Sequence, residues 1–183
     1  MAINTSLATM AAEAIDEYLI VSRECLNATK ADGGCLGYPA TLLLFCTVNA
    51  LGTYLVGERI VIDGREQKIT RREPFRVLNH SLFDLRLSDE KIKLLEKEYR
   101  NALAHNAVIG SGILVKTANA SGVPFAFSDS LHGINVGAFH RVVANAWAEF
   151  PKERIDEWVK ATESEKAAAM KRTREAEKKL RGN

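Results

Sequence analysis

Apolar residues recur at intervals of three and four through Leu7, Met10, Ala14, Tyr18, Val21 and Cys25, while Glu13, Asp16, Glu17 and Arg23 fall on other faces. That pattern predicts an amphipathic first helix over residues 5–28. A glycine-bearing loop from Thr29 to Tyr38 follows, and Pro39 is well placed to open a second helix over about 39–56. This helix is apolar almost all round, through Leu42, Leu43, Leu44, Phe45, Val48, Leu51, Tyr54 and Leu55. Thr41, Thr47, Asn49, Gly52 and Thr53 interrupt the run and no basic cluster flanks it, so it reads as a central helix buried by its neighbours rather than a membrane span.

Beyond it the period changes. Ile60-Val61-Ile62, then Asp63-Gly64, then a polar return to Ile69 predict a small hairpin packed on the outside. Pro74 can start a short helix over 74–86 with Phe75, Leu78, Leu82 and Phe83 inward. Ser88 is a candidate N-cap, with Asp89 and Glu90 in the first turn, for a helix over 88–107 whose core stripe is Ile92, Leu95, Tyr99, Leu103 and Asn106. Ile113 to Val115 and Val123 to Phe127 flank a small-residue segment and predict a second hairpin or an extended loop. Helical spacing resumes at Val136 with Phe139, Val142, Val143, Ala146, Trp147 and Phe150, and Pro151 breaks or kinks it. Residues 152–181 are strongly helical, but after Thr162 almost nothing apolar remains to be buried. The expected fold is all-α: an up-and-down helical bundle over residues 1–162, with one or two small hairpins in its connections and a basic helical tail over 163–183.

Charge sharpens that division. The 183-residue chain carries a net +2, yet Lys166 to Asn183 holds seven Lys and Arg against two Glu, and the rest holds 18 against 21, a net −3. Lys171, Arg172, Arg174, Lys178 and Lys179 can track a phosphate backbone, or can form a solvated helix face. Cys25, Cys35 and Cys46 are odd in number and lack zinc-site spacing. Cys25 and Cys46 read as core residues and Cys35 as a loop thiol, which favours a reducing, cytoplasmic setting; the N-terminus does not have the order of a signal peptide.

The chemistry concentrates in Tyr99-Arg100-Asn101-Ala102-Leu103-Ala104-His105. At about 100° per residue, Asn101 and His105 lie roughly 40° apart, whereas Arg100 points roughly 140° from His105. Arg100 and His105 therefore converge only through a long side chain, a distorted helix end or a second protomer. Histidine titrates near neutrality and can move a proton, and arginine offers a planar fork of donors to phosphate oxygens. RNA brings its own nucleophile, the 2′-hydroxyl, so its cleavage needs acid, base and positive charge but no metal. The same three residues also suit a helix C-terminus, where they favour the dipole and cap the last carbonyls.

Arg100-Asn101 followed by His105 resembles the Arg-polar-(three to five residues)-His signature of the HEPN superfamily, all-α domains that include metal-independent ribonucleases of toxin–antitoxin, phage-defence and RNA-processing systems. The resemblance covers residues 5–150. It implies an endoribonuclease with Arg100, Asn101 and His105 as catalytic residues, transesterification to a 2′,3′-cyclic phosphate and a 5′-hydroxyl, and no cofactor or metal. It also implies a homodimer with a composite active site, an RNA substrate and a regulatory or antitoxin partner. Some members of the superfamily serve instead as non-catalytic RNA-binding or assembly modules, which is the alternative reading for this chain.

Other residues read more simply. His80 is expected to be partly buried and hydrogen-bonded, His132 to be exposed in a Gly-containing loop, and His140-Arg141 either to line the same cleft as the motif or to serve packing. Tyr99 belongs to the core stripe. The histidines lack metal-ligand spacing, and the chain has no P-loop, dinucleotide fingerprint or nucleophile elbow.

Overall fold

The computed structural model describes residues 6–31, 33–97, 113–116, 122–128 and 132–181. The chain divides into two compact units, Ala14–Phe150 and a unit built from both chain ends, Met1–Glu13 with Pro151–Asn183. Helices dominate both, in agreement with a largely α fold.

The larger unit is organised around α2 (Gly37–Tyr54), which begins two residues before Pro39. Ala40, Leu44, Phe45, Val48 and Leu51 have no exposed surface, and no residue from Ala40 to Tyr54 is exposed. The hydroxyls that interrupt its apolar run are satisfied within the helix. Thr41, Thr47 and Thr53 donate to the carbonyls of Gly37, Leu43 and Asn49 at 2.8, 3.1 and 2.8 Å. A buried polar group is tolerated when it is paired in this way. Among the described residues no helix is long and apolar enough to cross a membrane.

The Phe45 ring is the hub of the core, 5.6 Å from Phe75, 5.0 Å from Phe139 and 6.5 Å from Phe125 between centroids. Phe75 comes from a 3-10 helix, Pro74–Asn79, that lies directly on α2. Its approach depends on Gly52, because a Cβ there would stand 2.0 Å from the Pro74 carbonyl oxygen. The short helix expected over 74–86 is thus tighter and ends earlier, at Asn79. Phe139 comes from α4 (Val136–Glu149), whose N-cap Asn135 accepts the Ala138 N–H at 3.2 Å.

The first helix, α1 (Leu7–Asn27), matches its expected span but turns a different face inward. Ala8, Ile15 and Ser22 are buried, whereas Leu7, Met10, Tyr18 and Val21 of the expected stripe are exposed. The face that packs is the one through Ala8, Ile15 and Ser22, so the expected stripe is rotated outward by roughly a quarter turn. Two polar contacts fix α1 to α4: the Trp147 indole N–H donates to Asp16 Oδ1 at 2.6 Å, and His140 Nε2 donates to the Leu19 carbonyl at 3.1 Å. Cys25 and Cys46 are half-buried, as is Cys35 in its loop.

The hairpin forms as expected. Strands β1 (Arg59–Ile62) and β2 (Arg65–Lys68) pair antiparallel with Ile62 opposite Arg65. Asp63 and Gly64 both have positive φ, 50° and 74°, the signature of a type I′ turn. Ile60 and Ile62 turn inward and Val61 outward.

The second β region departs from expectation. Strands β3 (Ile113–Lys116) and β4 (Phe125–Phe127) do not pair with each other; β5 (His132–Asn135) lies between them, parallel to β3 and antiparallel to β4. His132 accordingly sits in a strand rather than an exposed loop. Phe125 and Ile134, opposite one another, face the core.

In the smaller unit, α5 (Glu153–Arg181) follows the break at Pro151. Ile155 is buried, and every residue from Glu163 to Thr173 is exposed.

Candidate functional site

The motif residues Arg100, Asn101 and His105 lie outside the described residues, as does Tyr99. What the structure describes is the helix that leads to them. Ser88 caps α3 (Asp89–Leu94), its Oγ accepting the Lys91 N–H at 3.4 Å, with Asp89 and Glu90 in the first turn. Ile92 and Leu95 are buried, as the core stripe requires. The chain then widens into a π turn over residues 95–97, a geometry that recurs at functional sites.

The start of α3 is held by charge. Arg76 of the 3-10 helix, with 14% of its side chain exposed, reaches Asp89 Oδ1 at 3.2 Å, Glu73 at 2.8 Å and Gln67 Oε1 of β2 at 2.7 Å. Lys93 Nζ lies 2.6 Å from the other Asp89 oxygen, and the Asp63 carboxylate accepts the Asp89 N–H at 3.2 Å. The hydrogen bond from Lys93 and the nearby Arg76 hold the Asp89 carboxyl below the usual carboxylate range. Asp89 thereby ties the root of α3 to the hairpin through its N–H and to the 3-10 helix through its carboxylate.

Beside that root is a cleft of 290 Å³ lined by Glu90, Lys91, Leu94, Phe127, Ser128 and His132. It opens where the inner face of the sheet runs past the core. Phe127 pairs with His132 two ladder positions beyond the buried Phe125–Ile134 pair and so on the same face, and their rings lie 5.9 Å apart at 57°. Lys91 Nζ stands 5.1 Å from the centroid of the Phe127 ring. For an exposed lysine such a contact contributes about 0.5–1 kcal/mol, so the ammonium is readily displaced. His132 Nδ1 is buried without a hydrogen-bond partner among the described residues. An unpaired buried polar atom costs about 1–3 kcal/mol, and functional sites are where such costs are tolerated.

A larger concavity of 560 Å³ lies between the hairpin and the loop after the 3-10 helix. Its polar groups are already engaged: Arg59 with Glu66, Arg86 with Asp84 by two bonds, and Asn79 with the Val61 carbonyl and both backbone groups of Leu87. The positive φ of Asp84 and Arg86, 46° and 49°, is held in place by this network. A third, of 420 Å³, lies over Ala126 and Gly133 on the outer face of the sheet, and no buried unpaired side-chain atom lines it among the described residues. Of these three, the cleft at His132 is the one with a lining residue that holds a buried side-chain atom without a hydrogen-bond partner among the described residues.

The other two described histidines have structural duties. His80 Nδ1 accepts the Leu82 N–H at 3.3 Å, and burial pushes its imidazole below the ordinary value, toward the neutral form. His140 is committed to Leu19, and Arg141 donates to the Gly122 carbonyl at 3.0 Å, fastening the segment before β4. Of the basic tail, Lys171 and Arg172 are exposed on α5; Arg174, Lys178 and Lys179 belong to the same helix, with side chains outside the described residues.

Sequence reasoning missed His132, Lys91 and Phe127 as a group because strand β5 carries a single large apolar residue, Ile134, beside a glycine. The alternation of Phe125, Ala126 and Phe127 marked β4 as a strand, but nothing local announced its partner. No protein-family model, curated protein or solved structure shows significant similarity to the chain.

Proposed function

We propose that the protein is a HEPN-type, metal-independent endoribonuclease of the toxin or phage-defence kind, acting in the cytoplasm. The observation that carries the reading is the Arg100-Asn101-(three residues)-His105 spacing in the segment that follows a capped, core-packed α3 within a largely helical fold. In this reading His105 takes the proton of the RNA 2′-hydroxyl or returns one to the leaving 5′-oxygen. The 2′-oxygen attacks phosphorus, the bond to the 5′-oxygen breaks, and the products are a 2′,3′-cyclic phosphate and a 5′-hydroxyl. Arg100 neutralises the non-bridging oxygens as charge builds on them, and Asn101 orients the imidazole or a phosphate oxygen. The angular separation of Arg100 and His105 along one helix is met by a homodimer in which each site draws on both chains.

His105→Ala abolishes cleavage of single-stranded RNA in EDTA while circular dichroism and sedimentation stay those of the wild type. A folded wild-type protein that leaves varied RNAs uncut, or a variant that cuts equally well, removes the enzymatic reading.

The uninterrupted exposed surface of α5 from Glu163 to Thr173, followed by the basic run to Arg181, favours a second reading, a non-catalytic RNA-binding module. Deleting residues 166–183 then lowers RNA affinity and flattens its salt dependence, the loss being about tenfold or more at low salt. Binding that is unchanged by the deletion at both low and high salt rejects a role for the tail.

A further inference from the structure

We infer that the cleft between α3 and the β4–β5 pair is a nucleobase subsite, in which one base of an RNA strand lies on Phe127 and is read at its edge by His132; this rests on the RNA-directed function proposed above. Two observations are independent of the motif: the cleft itself, and the buried Nδ1 of His132, one of its lining residues, which has no hydrogen-bond partner among the described residues.

The lining selects among ligand classes. A small free anion would face the Glu90 carboxylate as well as the Lys91 ammonium, which leaves the cleft without net charge. A metal ion would find only one histidine and one carboxylate, and no cluster of three His, Cys, Asp or Glu suited to a metal occurs among the described residues. A purely apolar group would leave Nδ1 unpaired. A nucleobase meets all these constraints: it is neutral, planar and apolar on its faces, with donors and acceptors side by side along its edge. Once the His132 ring turns its buried Nδ1 toward the cleft, that atom can be paired by the base edge in either imidazole tautomer. Phe127 and Leu94 supply apolar walls, and Glu90 an acceptor for an exocyclic amine. At 290 Å³ the cleft has room for one nucleoside rather than a longer stretch of chain.

Lys91 completes the arrangement. Its ammonium covers the Phe127 ring. An incoming base takes that face by stacking, and the freed ammonium, on an exposed and flexible stem, is left at the rim for the adjoining phosphate. The lysine acts as a replaceable cover that becomes a phosphate contact.

The test is titration of the full chain with AMP, CMP, GMP and UMP, and with ribose 5-phosphate as the probe lacking a base, followed by NMR of the histidine ring signals. His132 is assigned by the signal missing from His132→Gln. At least one mononucleotide shifts the His132 ring signals saturably, and ribose 5-phosphate binds at least tenfold more weakly. His132→Gln and Phe127→Leu each weaken that nucleotide about tenfold, with the fold intact by circular dichroism. If either variant fails to fold, the other decides. The inference is overturned if no mononucleotide moves the His132 signals at millimolar concentration, if ribose 5-phosphate binds as well as the nucleotides, or if the folded variants bind as the wild type does. RNA cleavage measured in parallel keeps the two readings apart. Base binding without cleavage leaves the subsite standing and removes the ribonuclease, and cleavage without base binding does the reverse.

Discussion

At the residue scale the structure separates side chains whose polarity is satisfied from those whose polarity is left open. His80 belongs to the first kind. Its Nδ1 accepts a backbone N–H, which requires the neutral ring, and burial favours that form. With the folded pKa below the ordinary value near 6.5, the unfolded chain binds the proton more readily. The stability that His80 contributes is therefore complete above that value and is lost as pH falls through the lowered one. Urea denaturation between pH 7.5 and 5 shows wild-type stability declining with acid. In His80→Asn, which keeps an acceptor near Nδ1 but cannot titrate, the decline is flatter. Equal slopes would mean that His80 is not the group responsible. His132 belongs to the second kind, and its contrast with His80 is one of context, since the two residues look alike in the sequence.

At the scale of elements, legibility followed the length of the periodic signal. The hairpin was readable because Asp63-Gly64 names its own turn and Ile60 and Ile62 name its inner face. The burial of α2 was readable because a helix that is apolar all round has no face to give to water. The face of α1 was not: large side chains suggested the stripe through Leu7, Tyr18 and Val21, but the helix packs through Ala8, Ile15 and Ser22, a choice made by tertiary packing and not by the helix's own pattern. Strand β5 was hidden because pairing across the sheet, not local propensity, makes it a strand. Gly52 shows the same tertiary control. In an open helix interior Gly→Ala stabilises by about 1 kcal/mol. In α2 the new Cβ would meet the Pro74 backbone, which cannot swing aside as a side chain would. Gly52→Ala is expected to destabilise by about 2 kcal/mol in thermal or denaturant unfolding, the usual scale for overpacking. A stabilised variant would show that the 3-10 helix does not sit on α2 in this way.

At the scale of the whole molecule, a largely helical fold and an α3 with the expected cap and core face stand as the sequence suggested. Ser88 carried that information because capping is local, and Ile92 and Leu95 because their spacing repeats at the helical period. The motif residues lie outside the described residues, so their roles rest on residue chemistry and resemblance. The angular misfit expected of Arg100 and His105 on a single helix gives the proposed function its sharpest consequence, a site shared between two chains. Arg100→Ala and His105→Ala are each expected to be inert alone. Mixed in equal amounts and allowed to exchange, half of the dimers pair one of each, and one of the two sites in such a dimer is intact, so RNA cleavage returns to about a quarter of the wild-type rate. A mixture that stays inert although exchange is demonstrated, or either variant cutting RNA as the wild type does, contradicts the shared Arg100–His105 site.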